Sequence, residues 1–326
     1  MTFRNSIAFA LLAATCTVTA HAQNQPGSGY PAKAVRVIVP FPPGGISDVL
    51  SRVMAQHLQG AFGQQFLVDN RPGAGTTIAA DIVAKAPPDG YTIYFIDMTT
   101  HAINATLYSK LPYDSVRDFT QVNMVAQTPL IVVVHPSLPV KTTRDLIALA
   151  KSRPGEIIYA SSGNGTIVHL STETFASMAG IKMVHVPYKG SAPAVAALLG
   201  GEVGVTFSST PPALPHVQAG RLRALGVTTP KRSPLLPDVP TLGETLKGYD
   251  IVLYSGVMGP PNMPREIVNR LNRELARMLT LPNIREAWAK QGADPVTMTP
   301  EQMTEHLKSD IQKLGKMVRA AGAKVD

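Results

Sequence analysis

One cysteine, Cys16, stands among 326 residues, so a disulfide framework and a thiolate metal cage are both excluded. Aromatic residues make up 6% and charged residues 16% of the chain. With 44% hydrophobic residues, that low charge excludes wholesale disorder and leaves material for a sizeable core. Beyond the N-terminus there is no apolar run approaching the roughly 20 residues of a membrane-spanning helix. The eight histidines form neither H-E-x-x-H nor His-x-His, which speaks against a bound metal. No G-x-S-x-G elbow and no G-x-x-x-x-G-K-[ST] phosphate loop occurs, and Gly73-Ala74-Gly75 lacks the third glycine of a dinucleotide fingerprint. No catalytic residue, metal or cofactor is therefore expected.

The net charge is +8, but the excess is spread thinly. Residues 23–126 carry seven basic and seven acidic side chains, residues 127–250 eleven and seven, and residues 251–326 eleven and eight. Nucleic-acid binding needs a clustered basic footprint, and the longest basic run is Lys231-Arg232. A mild attraction for small anions fits this distribution better. Arg4, the apolar residues 7–14 and Ala20-His21-Ala22 before Gln23 read as a secretory signal cleaved after residue 22. Cys16 does not make it a lipoprotein signal, because Thr15 stands where Gly, Ala or Ser is wanted. The mature chain would then lack cysteine and reside in the periplasm.

A short β-branched run, a glycine-rich loop and a helical stretch recur along the chain, which argues an α/β fold with largely parallel sheets. Val35–Val39 leads through Pro40-Phe41-Pro42-Pro43-Gly44-Gly45 to a helix ending near Gln59. Residues 65–68 lead through Asn70-Arg71-Pro72-Gly73-Ala74-Gly75 to a helix over residues 78–86. Residues 157–159 lead through Ser161-Ser162-Gly163-Asn164-Gly165 to a helix over residues 166–179. Residues 183–186 lead through Pro187-Tyr188-Lys189-Gly190-Ser191 to a helix over residues 192–199. Apolar runs at Leu130–Val134 and residues 251–257 flank the middle third, which reads as a domain inserted into the other. Helical spacing returns at residues 265–279 and 302–318. No internal repeat is evident.

In such folds ligands bind beyond the carboxyl ends of the strands. Each loop there opens a helix whose unpaired N–H groups and positive dipole end favour an anion. Any one of these loops alone reads as an ordinary turn, with Ser47, Asp48, Thr76, Thr77 and Thr166 as helix caps. Several together point to a carboxylate or phosphate site. Ser161 or Ser162 with His169 would be the only nucleophile–base pairing for a hydrolase, yet neither an orienting acid nor an oxyanion hole is discernible.

The loops also carry a specific resemblance. Tyr30-Pro31, Val35-Arg36-Val37-Ile38-Val39-Pro40-Phe41-Pro42-Pro43-Gly44-Gly45 with Asp48 and Arg52, and Asp69-Asn70-Arg71-Pro72-Gly73-Ala74-Gly75 resemble the Bug-type receptors. These are extracytoplasmic solute-binding proteins of tripartite tricarboxylate transporters. Pro88-Asp89-Gly90-Tyr91-Thr92, Leu111-Pro112-Tyr113-Asp114, His135-Pro136-Ser137-Leu138-Pro139, Val186-Pro187-Tyr188-Lys189-Gly190 and Leu236-Pro237-Asp238-Val239-Pro240-Thr241 continue it in the family's order.

The resemblance implies a two-lobed periplasmic-binding-protein-like fold, each lobe a mainly parallel sheet flanked by helices, joined by crossover strands. Residues 23–127 with 250–326 would form one lobe and residues 128–249 the other. Closure would hinge near residues 126–129 and 248–251. It further implies a site built from Phe41, Gly44, Gly45, Ile46, Ser47 and Asp48, with Gly75, Thr76, Thr77, Met98, Thr99 and His101 beside them. The other lobe would supply Ser161, Ser162, Gly165, Thr166, Tyr188, Phe207 and Ser208.

The ligand would be a small organic carboxylate, the partner a membrane permease, and the receptor a monomer. Gly204 stands where the family usually has an acid. That disfavours an amino acid, whose ammonium wants a carboxylate, and favours a dicarboxylate or an aromatic carboxylate walled by Phe41, Tyr188 and Tyr254. A ligand sensor for a signalling system would share the same pocket.

Overall fold

The computed structural model describes residues 29–320; the expected signal segment lies outside them. The chain begins with β1 (Val35–Val39), α1 (Ile46–Phe62), β2 (Phe66–Asn70), α2 (Thr77–Ala84), β3 (Thr92–Asp97), α3 (Met98–Leu107) and β4 (Thr120–Thr128). It continues through β5 (Leu130–Val134), α4 (Thr143–Ser152), β6 (Ile158–Ser161), α5 (Ile167–Ala179) and β7 (Val184–Pro187). Then follow α6 (Ser191–Leu199), β8 (Val205–Ser209), α7 (Thr210–Gln218) and β9 (Arg223–Val227). It ends with β10 (Leu253–Gly259), α8 (Arg265–Met278), α9 (Pro282–Ala289), β11 (Asp294–Pro295) and α10 (Pro300–Ala320). Among the described residues no helix is long and apolar enough to cross a membrane.

These strands make two sheets flanked by helices, in the orders β11-β4-β10-β3-β1-β2 and β7-β6-β8-β5-β9. As expected of mainly parallel sheets, four strands of each run the same way. Each sheet is mixed by reversed strands, β10 and β11 in the first and β5 in the second. β1 pairs parallel with β2 and β3, whereas β10 runs antiparallel to both β3 and β4. β6 pairs parallel with β7 and β8, whereas β5 runs antiparallel to both β8 and β9. The cause is topological. β5 follows β4 across the single residue Pro129, and β10 is the first strand after the return. Each enters its sheet straight from the other, without the helical crossover that a parallel neighbour requires.

The run β2-β1-β3-β10-β4 therefore matches β7-β6-β8-β5-β9 position by position, a repeat of architecture that the sequence does not display. Burial on both faces explains the unbroken apolar strands. Along β5, Leu130, Val132 and Val134 join the main core, while Ile131 and Val133 point to a second cluster on the opposite face.

Candidate ligand-binding cleft

The loops beyond β1, β3, β6, β7 and β8 converge between the two sheets, where strand ends place ligands in open α/β folds. They surround a small cavity of about 20 Å³ lined by Phe41, Pro42, Gly45, Ile46, Ser47, Asp97, Ser162, Ile167, Val168, Ser191, Ala192, Ser209 and Leu253. A space that small holds about one water molecule, so the cleft is shut. The Ile167 N–H donates to Thr100 Oγ1 across the cleft at 3.0 Å. A Cβ on Gly190 would stand 2.8 Å from Pro42 Cγ, and one on Gly75 2.7 Å from the Asn164 carbonyl oxygen. Glycine is what lets the two sides meet this closely.

Three helices aim their N-termini at this space without a side-chain cap. The α1 cap is Gly45, the α6 cap Gly190 and the α7 cap Ser209, and none offers a capping hydrogen bond. The N–H groups at these ends are those of Ile46, Ser47 and Asp48 on α1, Ser191 and Ala192 on α6, and Thr210 on α7, whose next two residues are prolines and carry none. Orphan N–H groups at helix ends bind anions. On the cavity wall beside them, the buried hydroxyls of Ser47 and Ser209 have no partner. A buried polar group without a partner costs about 1–3 kcal/mol, which a ligand oxygen would relieve.

Within the first loop the expected residues divide by task. Phe41, Gly45, Ile46 and Ser47 line the cavity. Gly44 and Asp48 hold the loop in shape. Gly44 has φ +91°, and its N–H donates to Asp48 Oδ2 at 3.1 Å. Asp48 Oδ1 accepts from Arg52 Nε and Asn70 Nδ2, both at 3.0 Å, and Asn70 also donates to the Phe41 carbonyl at 2.8 Å. Burial alone would raise the Asp48 pKa, but the bonds from Arg52, Gly44 and Asn70 outweigh it and hold the carboxyl below its ordinary range.

The second loop behaves differently. The Thr76 N–H donates to the Gly73 carbonyl, and both the N–H and the hydroxyl of Thr77 donate to the Ala74 carbonyl. Asn104 Nδ2 donates to the Gly75 carbonyl at 2.7 Å. Gly75 and Thr76 reach only the outer mouth of the cleft, a 280 Å³ recess shared with Ser162, Gly163, Asn164, Thr166 and Tyr188. Arg71 does not line this recess and is paired with Asp69 at 2.9 Å, whereas Lys189 stands at its rim.

Several expected residues face elsewhere. Thr99 clasps the return segment, its Oγ1 donating to the Val252 carbonyl and accepting from the Tyr254 N–H. His101 is buried against Tyr113 and Phe119, with Nε2 2.9 Å from the Ser115 carbonyl. Burial pushes its pKa down to about 4. Met98 is fully buried core, and Phe207 packs on Phe175. The Ser208 hydroxyl donates to the Ser209 carbonyl. What reaches the cavity instead is the residue at the strand end in each case, Asp97 on β3 and Ser209 on β8. The signal for both was the strand terminus.

Ser161 Oγ lies 2.6 Å from His185 Nε2, not beside His169. His169 stacks on His185 at 4.1 Å and accepts the Gly165 N–H at Nδ1. Burial first, and His169 second, drop His185 to about 3. The one acid near this stack, Glu173, accepts from the Tyr159 hydroxyl. Among the described residues no carboxylate is bonded to the imidazole of His185, so the Ser161–His185 pair lacks the orienting acid of a triad. Ser162 donates to Thr166 Oγ1, which caps α5 by accepting the His169 N–H. Tyr188 donates to Glu202 at the outer mouth.

Asp97 alters the argument about charge. It is 1% exposed on the cavity wall. Its two oxygens accept from the Thr100 N–H at 2.9 Å and hydroxyl at 2.7 Å. Burial outweighs those bonds and raises its pKa to about 6. Gly204 lies outside the cavity, giving its carbonyl to the His135 N–H. A missing acid at Gly204 therefore says nothing against an ammonium-bearing ligand.

The model of the tripartite tricarboxylate transporter family receptor matches residues 50–323. The chain is 40% identical over 300 residues to protein BugT of Bordetella pertussis, covering 91% of each. An R. palustris protein solved with adipate superposes with TM-score 0.88 and 39% identity, over 91% of this chain and 100% of that one. MatC from Rhodopseudomonas palustris with bound malate superposes with TM-score 0.83 and 28% identity, over 89% and 100%.

Proposed function

Because the chain belongs to the tripartite tricarboxylate transporter family of receptors, we propose that it captures a short dicarboxylate in the periplasm and delivers it to a membrane permease. One observation carries this reading. Uncapped helix N-termini enter a single cavity from both sides, α1 from the first sheet and α6 from the second, the latter joined by the one N–H that Thr210 offers at the start of α7. Two anion poles separated by Ile46, Ile167, Val168 and Leu253 suit a molecule with a carboxylate at each end. The relatives solved with adipate and malate support it. An aromatic acid fits less well. Of the three expected aromatic walls only Phe41 lines the cavity, since Tyr188 stands at the outer mouth and Tyr254 lies behind the crossover.

The lobes would be residues 23–127 with 250–326, and residues 128–249, closing about the two crossover segments as in other hinged binding proteins. Sheet membership supports that division.

Thermal shift and calorimetry with adipate, malate, aspartate and benzoate test the reading. A ligand at 100 times its Kd adds about 2.7 kcal/mol of stability. Adipate or malate should raise the melting temperature and benzoate should not. Stabilisation by benzoate alone, or by none of the four, would overturn it. Small-angle scattering with the stabilising acid should show a smaller radius of gyration than without it.

A further inference from the structure

Strand β10 separates two cavities. Leu253 faces the cleft, whereas its neighbours Val252 and Tyr254 line a second cavity of about 470 Å³ behind the crossover. Successive residues of a strand point to opposite faces, so the two spaces lie back to back across the hinge. The floor of the rear cavity is Thr128 and Pro129 from one crossover and Asp250 and Val252 from the other. One wall comes from residues 229–235 after β9, the opposite wall from α9 and β11. Its volume falls within the range of small-molecule sites, about 300–1,000 Å³.

The lining has a definite chemistry. Pro129, Leu235, Val252 and Tyr254 give it an apolar body. Arg232 is taken by Glu244, and Lys290 by Glu286. Asp250, Asp294 and Lys231 have no side-chain partner among the described residues, which leaves one net negative charge. Thr128 is fully buried, yet its Oγ1 has no hydrogen-bond partner.

From this we infer a second ligand site, at the rear of the hinge, that takes a small organic ammonium with an apolar body. The carboxylates of Asp250 and Asp294 attract the ammonium, and the proline, leucine and tyrosine surfaces cover the apolar part. The site is open while the cleft is shut, and rotation about β10 that widens the cleft narrows the space behind it. An occupant of the rear cavity therefore favours the shut form. By linkage it raises the affinity of the cleft for its own ligand, and the cleft ligand raises affinity at the rear by the same factor. This coupling, unlike the rear site itself, rests on the carboxylate-receptor reading.

Benzylamine is a suitable probe, and Trp288, the only tryptophan, reports on it from α9. Calorimetry and fluorescence should show millimolar or tighter binding, weakened roughly tenfold in an Asp250→Asn/Asp294→Asn double variant. Ala289→Phe, which fills the cavity from the exposed face of α9, should abolish benzylamine binding. Saturating benzylamine should lower the Kd for adipate about threefold or more, and adipate should do the same for benzylamine. No benzylamine binding, or binding unchanged in both variants, would overturn the site. Opposite or absent coupling, with both molecules bound, would overturn its link to closure. Failure of adipate and malate to bind would count against the proposed function alone, because the benzylamine titration is read without them.

Discussion

The loop after β1 and the loop after β2 read alike in sequence. Both are rich in glycine and hydroxyl residues, and both open a helix at the carboxyl end of neighbouring parallel strands of the same sheet. In the fold they do opposite things. Residues 41–47 leave the first N–H groups of α1 uncapped and the Ser47 hydroxyl unpartnered. Residues 73–77 turn their donors inward, onto the carbonyls of Gly73 and Ala74, and are braced by Asn104 and Tyr108. An anion site is thus defined by donors left without a partner, and glycine content alone does not locate it. The second loop serves closure, because Gly75 is where the other side of the cleft rests.

The largest effect should come from Gly75→Ala. Gly75 has φ +56° and its added Cβ would lie 2.7 Å from the Asn164 carbonyl oxygen. The left-handed conformation costs alanine about 1 kcal/mol, and a contact of 2.9 Å with the Tyr108 hydroxyl of the same lobe burdens both forms, whereas the clash with Asn164 arises only in the shut form. Affinity for adipate should fall about a hundredfold or more, while the melting temperature without ligand drops by only a few degrees. Unchanged affinity would mean that the cleft does not shut at Asn164, and the division of labour between the loops would fail.

Much of the architecture was legible because it rests on local pattern. β-branched runs mark β1 and β5, and the helical period finds α8 and α10 nearly to the residue. The strand–loop–helix rhythm places the first loop on the cleft, and Phe41, Gly45, Ile46, Ser47 and Ser162 all line it. What stayed hidden depends on distant partners. Thr77 looks like a free donor until Ala74 claims it, and Tyr254 looks like a cleft wall until strand alternation turns it to the rear. Ser161 finds His185, 24 residues away, rather than the nearer His169. The antiparallel entry of β5 and β10 follows from the path of the whole chain, which no window of sequence contains.

A paired substitution sharpens the contrast between the loops at smaller scale. Ser47→Ala removes a buried hydroxyl that bonds nothing in the free protein, so stability should hold or rise by up to about 1 kcal/mol. Affinity for adipate should fall about tenfold, since that hydroxyl faces the cavity. Thr77→Val removes the bond to the Ala74 carbonyl, so stability should fall by about 1 kcal/mol and affinity should stay within about threefold. Chemical denaturation and calorimetry on both variants decide it. The reverse pattern would assign the anion to the second loop.

The smallest effect on affinity concerns two buried acids, Asp48 on α1 and Asp97 at the end of β3, which are set in opposite directions. Asp48, with its pKa lowered, contributes stability above its unfolded pKa, and that contribution is lost as pH falls through the folded value. Asp97, raised from 3.8 to about 6, does the reverse. The folded state holds its proton more tightly, so its contribution is complete below the unfolded pKa and lost as pH rises through about 6, a change of about 3 kcal/mol. A carboxylate ligand in the same cavity meets that negative charge only when Asp97 is ionised, so binding should weaken as pH rises through about 6. A partly screened interaction of this kind amounts to about threefold to fivefold between about pH 5 and about pH 8. Asp97→Asn keeps an acceptor for the Thr100 N–H, since asparagine also caps helices well, and removes the charge. The ratio of wild-type to variant Kd for adipate cancels the titration of adipate itself. That ratio should rise with pH, and wild-type binding near neutrality should take up a proton that calorimetry detects as a dependence on buffer ionisation heat. A ratio flat across the range would place both ligand carboxylates beyond the reach of Asp97, at the α1 pole and the α6–α7 pole, with the acid acting as a helix cap alone.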